Sequence, residues 1–307
     1  MVRGLKTLAT CLSICFGVAV WAAGVGDAGA ATRSCDVPAV TRDLSYVEEP
    51  VSDLQKLDVY GFESKKCDPV PVIVWVHGGG WAIGDKRRVD EKATFFNDLG
   101  YVLVSVNYRL STRGVPDHPT HPDHANDVGA AVAWVQEHID EHGGDGDHVA
   151  LLGHSAGAHL VALVGLDPDY IQHAGGDFDG VRCVLSNDTE SYDVVARSSA
   201  NAATNLLITN AFGRDDSLWS DASPINHVDD IDDPPDFLIV RRGLESRQAA
   251  QTEFGTALED SGGTVTYLDA PGYSHGDVNK MIGVAGETVV TPTVQRFTDR
   301  CLGSTER

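Results

Sequence analysis

Basic residues are scarce in this chain, and lysine is the scarcest of them. Lysine and arginine together number 23, against 45 aspartate and glutamate residues, and the formal net charge at pH 7 is −22. A field of that sign repels nucleic acid and anionic membrane surfaces. The composition therefore argues against a protein that binds nucleic acid or lies on an anionic membrane.

Long hydrophobic runs are almost absent as well. Leu8–Trp21 is mostly apolar, follows a basic start and precedes Ala28-Gly29-Ala30, an A-x-A cleavage pattern. These features predict a secretory signal peptide over residues 1–30, cleaved after Ala30, and hence a secreted or periplasmic protein. No later run reaches the length of a membrane span, so we predict none in the mature chain. No repeat or linker divides residues 31–307, which we predict to form one domain.

Cysteine is sparse, with six residues in total. Four of them follow the predicted signal peptide: Cys35, Cys67, Cys183 and Cys301. An even number in an exported chain favours two disulfides, for which three connectivities exist. Because Cys35 and Cys67 bracket the first strands, we favour a local bridge between them; two buried free thiols are the alternative.

Short apolar runs alternate with helical patterns along the rest of the chain. Strands are predicted at Leu44–Val47, Leu57–Tyr60, Val72–Val76, Tyr101–Val106, Val149–Leu152, Val181–Leu185, Phe237–Val240 and Val265–Leu268. Helical spacing occurs between them, over about 125–141, 156–166, 248–260 and 293–301. This alternation predicts an α/β fold with a mostly parallel sheet covered on both faces. Residues of about 187–236 form a long insert without a clear pattern, expected to be irregular and to roof a cleft.

The sequence Gly153-His154-Ser155-Ala156-Gly157 has the form G-x-S-x-G. It follows an apolar strand and precedes a helical pattern, which is the context that holds a serine on a strained turn above a parallel sheet. Both glycines suit the close packing of strand, turn and helix. The context predicts Ser155 as a nucleophile.

A second glycine-rich motif, His77-Gly78-Gly79-Gly80-Trp81, follows the buried strand Val72–Val76. Consecutive glycines are entropically costly and allow the backbone to approach a ligand closely. We predict that the N–H groups of Gly78 and Gly79 join that of Ala156 in an oxyanion hole.

His275 is the predicted base. It lies just past the last strand, and a histidine at the carboxyl end of a strand can reach a serine on the same rim of the sheet. His118, His121 and His124 form a dense run that resembles a metal site, but two intervening prolines argue against convergence of the rings. We predict no metal there and expect a solvated loop at the pocket rim.

The acid that should orient His275 is harder to choose. Glu245 is the only carboxylate in the loop after the Phe237–Val240 strand, the usual position for this group. Three arginines crowd the same loop and offer Glu245 a surface ion network instead: Arg241, Arg242 and Arg247. We favour Glu245, keep Asp188 after the Val181–Leu185 strand as the alternative acid, and rank Asp193 third.

Four motifs together resemble the hormone-sensitive-lipase-like carboxylesterases and the related feruloyl-esterase-like α/β-hydrolases: HGGGW at 77–81, YRL at 108–110, GGD at 143–145 and GHSAG at 153–157. The resemblance spans about Tyr60 to Phe297. It implies an α/β-hydrolase fold, Ser155 and His275 as catalytic residues, and neither a metal nor an organic cofactor. In that family a G-L-D-P-L-R loop precedes P-G-x-x-H, and a gap-free match places Glu245 at the position of the family's aspartate. The sequence departs from the pattern in this glutamate and in Arg241-Arg242.

These features predict a serine carboxylesterase that acts on small-molecule esters with short acyl groups through an acyl-enzyme. Trp81 and the insert are expected to line the substrate pocket. Two alternatives stay open: a serine amidase or formamidase, and a hydrolase-fold binding protein that has lost catalysis.

Overall fold

A computed structural model of the chain describes Met1 and residues 37–63 and 68–303. The predicted signal peptide and the predicted Cys35–Cys67 bridge lie outside the described residues. None of the helices in the described part combines the length and apolarity needed to cross a bilayer.

Eight strands pair in one sheet, and each overlaps a predicted strand, although the first begins earlier than predicted and shares only Leu44 and Ser45 with Leu44–Val47. They are β1 Pro38–Ser45, β2 Lys56–Phe62, β3 Val70–Val76, β4 Val102–Val106, β5 Gly144–His154, β6 Val181–Asn187, β7 Asp236–Arg241 and β8 Val265–Asp269. Their order across the sheet is β1-β2-β4-β3-β5-β6-β7-β8. β2 pairs antiparallel with both β1 and β4, and the other neighbours are parallel. The mostly parallel sheet confirms the predicted α/β class.

Helices connect the strands. They are α1 Lys92–Asp98, α2 Asp123–His138, α3 Ala156–Val164, α4 Asp169–Gln172, α5 Val194–Ser198, α6 Ala202–Phe212, α7 Asp216–Asp221, α8 Glu245–Asp260, α9 Asp277–Lys280 and α10 Val290–Cys301. Short 3₁₀ helices occur at Ile139–His142, Phe178–Gly180 and Pro224–His227.

The expectation of an irregular insert between β6 and β7 was wrong, because α5, α6 and α7 lie there. Each begins at a capping side chain: Asp193, Asn201 and Asp215 accept the backbone N–H of Ala196, Thr204 and Ser217. Such caps satisfy amides that the first turn of a helix leaves free. The helices are short, so their apolar spacing is weak, and the capping residues were the signal that the sequence offered.

Both faces of the sheet are buried. In β3, Val72 and Val74 belong to one apolar cluster and Ile73 and Trp75 to the other. The first cluster includes buried residues of α2, α3 and α8, and the second those of α1 and α10. Burial of successive side chains on opposite faces explains why the strands appear in the sequence as continuous apolar runs.

A disulfide joins the sheet to the last helix. It pairs Cys183 in β6 with Cys301 at the end of α10, with the two Cα atoms 6.1 Å apart. Of the three connectivities that four cysteines allow, this bridge belongs to the one predicted from the sequence.

Gly129 tests the packing of α2. Alanine in a helix is favoured over glycine by about 1 kcal/mol, but a Cβ here would overlap the backbone of Tyr170. Because the overlap is with backbone, we expect Gly129→Ala to lower the free energy of unfolding by about 1–3 kcal/mol, measured by thermal or urea denaturation. Gly272→Ala is the control, since its Cβ meets no atom within 4 Å. A higher melting temperature for Gly129→Ala would contradict this packing.

Candidate active site

Three polar side chains meet at the carboxyl edge of the sheet. Ser155 follows β5, Asp188 follows β6, and His275 lies between β8 and α9. His275 Nε2 is 2.9 Å from Ser155 Oγ, and His275 Nδ1 is 2.6 Å from Asp188 Oδ2. Parallel strands present their carboxyl ends on one rim, which is why residues so far apart in sequence come together.

Ser155 occupies a strained turn between β5 and α3. Its backbone has φ 57° and ψ −117°, a left-handed conformation that costs energy in a residue with a side chain. The Ser155 N–H donates to Asn187 O at 3.0 Å and fixes the turn against the end of β6. Gly157 allows the turn to pack closely, because a Cβ there would overlap the backbone at Val76. The serine hydroxyl is thereby presented at the rim.

The hydrogen-bond partners of His275 determine which of its ring nitrogens carries the proton. An ionised carboxylate only accepts hydrogen bonds, so Nδ1–H donates to Asp188 and Nε2 is left with a lone pair. That lone pair accepts the hydroxyl proton of Ser155. A serine, a neutral imidazole and a carboxylate in this order are the groups that nucleophilic attack on a carbonyl requires.

Asp188 is fully buried and ionised. Burial alone would raise the pKa of its carboxyl, but the hydrogen bond from His275 and the charges of Arg247 and Arg242 outweigh burial and hold that pKa below its usual value. Its backbone is left-handed, with φ 62°.

The structure corrects the choice of acid. Glu245 is exposed at the first residue of α8 and does not contact His275; Asp193 is engaged as the cap of α5. Asp188, the alternative, occupies the position beside His275. The physical reason is that the loop after β7 turns away at Gly243, where φ is 82°, while Arg242 of this loop and Arg247 of the first turn of α8 point back to Asp188.

The glycine-rich loop lies against Ser155. A Cβ on Gly78 would come within 2.9 Å of Ser155 Cβ, and Gly79 has φ 132°, which suits glycine. The backbone N–H groups of Gly78, Gly79, Gly80 and Ala156 donate no hydrogen bond to any described residue. Free amides beside a serine hydroxyl are the donors that a developing oxyanion needs. Gly80 was not among the predicted donors, although the structure places it in the wall of the cavity.

A cavity of about 190 Å³ opens at Ser155 and His275. Trp81, Leu207 and Ile208 form its apolar side, and Glu190 and Arg197 lie on its polar side. The insert thus supplies much of the wall. A larger groove of about 920 Å³ lies along α2 and contains none of the three meeting side chains.

Trp81 is held rigidly in that wall. Its Nε1–H donates to His159 Nδ1 at 3.3 Å, and His159 Nε2 lies 2.7 Å from Ala222 O. Because the indole only donates, His159 accepts at Nδ1 and carries its proton on Nε2. Burial lowers the pKa of His159 to about 3, so this histidine stays neutral.

The histidine run of the sequence is not a solvated loop, because His121 and His124 are buried. The three rings have separate partners: His118 contacts Asn210 O, His121 contacts Asp221 Oδ2, and His124 contacts Ser111 Oγ. The run packs against α6 and α7 and fastens the insert, and its rings do not converge.

His154 lies beside His275, with the ring centroids 4.6 Å apart. Its Nε2 is 2.8 Å from the His275 carbonyl oxygen and donates to it. Burial, and then the neighbouring His275, lower the pKa of His154 to about 4. The ligand atoms of His154, Asp188 and His275 lie within 4.8 Å of one another, but a metal here would break the Asp188–His275 hydrogen bond.

Known proteins resemble this chain over most of its length. A family model described as BD-FAE matches residues 57–245. The chain is 30% identical to esterase LipC of Mycobacterium tuberculosis over 249 residues, covering 76% of this chain and 59% of the relative. It is 32% identical to esterase LipQ of the same organism over 216 residues, covering 67% and 50%. The chain therefore spans little more than half the length of these relatives.

The crystal structure of inhibited esterase B from Lactobacillus rhamnosis superposes on this chain with a TM-score of 0.71 at 19% identity. The superposition covers 87% of this chain and 88% of that one. At this identity the likeness concerns the fold, and it confirms the predicted α/β-hydrolase fold.

The geometry predicts that Ser155 reacts faster than an ordinary serine, which a fluorophosphonate probe measures without any substrate. We expect Asp188→Asn to slow labelling of Ser155 by about two orders of magnitude or more, because an amide cannot orient His275 and stabilise its charged form. Glu245→Gln is the matched control and should label at the wild-type rate. Slow labelling of Glu245→Gln together with normal labelling of Asp188→Asn would reverse the assignment of the acid.

Proposed function

This chain belongs to the BD-FAE family, and from that membership and the geometry of its site we propose that it is a serine carboxylesterase acting on small-molecule esters with short acyl groups. The observation that carries the proposal is the continuous hydrogen-bonded line Ser155–His275–Asp188, open to a cavity. The esterase names of the curated relatives support the same reaction class.

In the first half of the proposed reaction, His275 Nε2 takes the hydroxyl proton of Ser155 as Oγ attacks the ester carbonyl carbon. The carbonyl oxygen becomes an oxyanion, which the free amides of Ala156 and the glycine-rich loop stabilise; we assign this role to Gly78, Gly79 and Ala156. Each such donor lowers the barrier by about 3–4 kcal/mol. Collapse of the intermediate breaks the bond to the alcohol, and His275 gives the alcohol its proton.

In the second half, water replaces the alcohol. His275 removes a proton from the water as its oxygen attacks the acyl-enzyme, and then returns a proton to Ser155 Oγ as the acid leaves. Asp188 stays ionised throughout and stabilises the imidazolium. The complete line of hydrogen bonds speaks against an inert binding protein.

The cavity supports a preference for short acyl groups. Its volume of about 190 Å³ is below the roughly 300 Å³ at which pockets for drug-sized ligands begin. The rigid Trp81, together with Leu207 and Ile208 of α6, limits the apolar side of this space. A long acyl chain has no enclosed room here.

We also propose export of the mature protein, on the strength of the signal-peptide pattern at residues 1–30 and its A-x-A motif. The substrate is a small molecule, and the net charge of −22 disfavours nucleic acid as a partner.

The first test is Ser155→Ala, assayed on p-nitrophenyl acetate and butyrate. We expect loss of hydrolysis with an unchanged circular dichroism spectrum, since among the described residues only the Ser155 hydroxyl is hydrogen-bonded to His275 Nε2. Ser217→Ala, on the exposed helix α7, is the control and should keep full activity. Retention of more than ~1 % of wild-type turnover by Ser155→Ala would contradict the proposal.

The second test is a series of esters of increasing acyl length. We expect kcat/KM to be highest for acetyl to butyryl groups and to fall for octanoyl and longer groups, because the cavity is small. Leu207→Ala should shift the preference towards longer groups by opening the apolar wall. Strong activity on emulsified long-chain triglyceride with little on acetyl esters would contradict the size argument.

A further inference from the structure

Two arginines hold the Asp188 carboxylate: Arg242, in the loop between β7 and α8, and Arg247, in the first turn of α8. Arg242 Nη1 donates to Asp188 Oδ2 at 2.8 Å, the same oxygen that accepts from His275. Arg247 Nε donates to Asp188 Oδ1 at 2.9 Å, and its Nη2 donates to the Asp188 backbone oxygen at 2.9 Å. Both arginines are largely buried, and the carboxylate is fully buried.

Each guanidinium also reaches a second part of the site. Arg242 Nε donates to Tyr273 O at 3.1 Å, in the loop that carries His275. Arg247 Nη1 pairs with Glu190 Oε1 at 2.7 Å, in the wall of the cavity. Arg242 thus links Asp188 to the loop of His275, and Arg247 links Asp188 to the wall of the cavity.

We propose that Arg242 and Arg247 are positioning residues for the Ser155–His275–Asp188 site: they fix the orientation of the Asp188 carboxylate towards His275, and their positive charges act against a positive charge on the imidazole. This inference rests on the proposed function for its kinetic readout. The grip on both the side chain and the backbone oxygen of Asp188 also offsets the strain of its left-handed backbone.

The charges around His275 support the electrostatic part. Asp188 and, farther off, Glu190 favour the imidazolium; Arg242 and Arg247 oppose it. His154, from the end of β5, is neutral at neutral pH. Asp277, the first residue of α9, accepts a hydrogen bond from the Ser274 N–H. Lys92 lies on the His154 side and adds positive charge there. Removing one guanidinium therefore shifts the balance towards protonation of His275.

The direction in which the pH profile moves follows from the role of His275 as the base. His275 acts when its Nε2 is unprotonated, so a higher pKa of His275 moves the acid limb of the kcat/KM profile to higher pH. A unit charge lost within several ångströms of the ring, partly screened, corresponds to a shift of about 0.5–1 pH unit.

Two substitutions of Arg247 separate charge from geometry. Arg247→Met removes the charge, and we expect the acid limb to move up by about 0.5–1 pH unit and kcat to fall about tenfold. Arg247→Lys keeps the charge but loses the fork of donors, so kcat should fall while the acid limb stays in place. Arg242→Met and Arg242→Lys provide a second pair, should Arg247→Met fail to fold.

Arg241→Met, at the end of β7 and next to Arg242, is the matched control. Arg241 pairs with Asp269 and lies over the Tyr267 ring, away from Asp188. Its replacement should leave both kcat and the pH profile unchanged, which excludes a general effect of removing an arginine from this part of the chain.

Titration of the His275 ring by NMR gives a readout that does not need turnover. We expect a raised pKa of His275 in Arg247→Met and an unchanged one in Arg247→Lys. If the wild type hydrolyses no ester and this difference persists, the positioning role stands although the proposed function fails. Identical profiles and titrations for wild type, Arg247→Met and Arg242→Met would overturn the inference, as would equal pH shifts in the Met and Lys variants.

Discussion

A buried carboxylate has to be compensated, and the arrangement around Asp188 follows from that constraint. Removing an ion from water costs several kcal/mol unless hydrogen bonds and opposite charges replace the solvent. Asp188 is fully buried, and its oxygens are taken up by His275, Arg242, Arg247 and Gln251. The group that orients His275 is therefore itself held by three side chains from the β7–α8 segment.

The sheet brings these groups within reach. Adjacent parallel strands β5, β6 and β7 end on one rim, so Ser155, Asp188 and Arg242 each follow a neighbouring strand. Rigid strands fix the backbone of each residue before any side chain is placed, which suits chemistry that depends on hydrogen-bond geometry. The insert then closes the cavity, fastened by His118 and His121 to the loop before α2.

Local patterns in the sequence predicted the strands, the turn at Ser155 and the loop of His275, because each depends on neighbours along the chain. The identity of the acid depended on whether the chain after β6 or the chain after β7 turns a carboxylate towards His275. That choice is made by tertiary packing, not by neighbours along the chain. Glu245 matched a family position, yet the chain turns away at Gly243. The neighbouring arginines were expected to offer Glu245 a surface ion network, but Arg242 and Arg247 pair with Asp188 instead. The burial of His121 and His124 likewise depends on α6 and α7, which lie in the insert that was expected to be irregular.

The central claim is that Asp188, and not Glu245, holds the Nδ1 proton of His275. The downfield region of the proton NMR spectrum shows that proton directly. A short hydrogen bond to a carboxylate deshields the proton strongly and slows its exchange with water. We expect a strongly deshielded resonance in the wild type and in Glu245→Gln, and no such resonance in Asp188→Asn. A resonance that survives in Asp188→Asn and disappears in Glu245→Gln would contradict this claim.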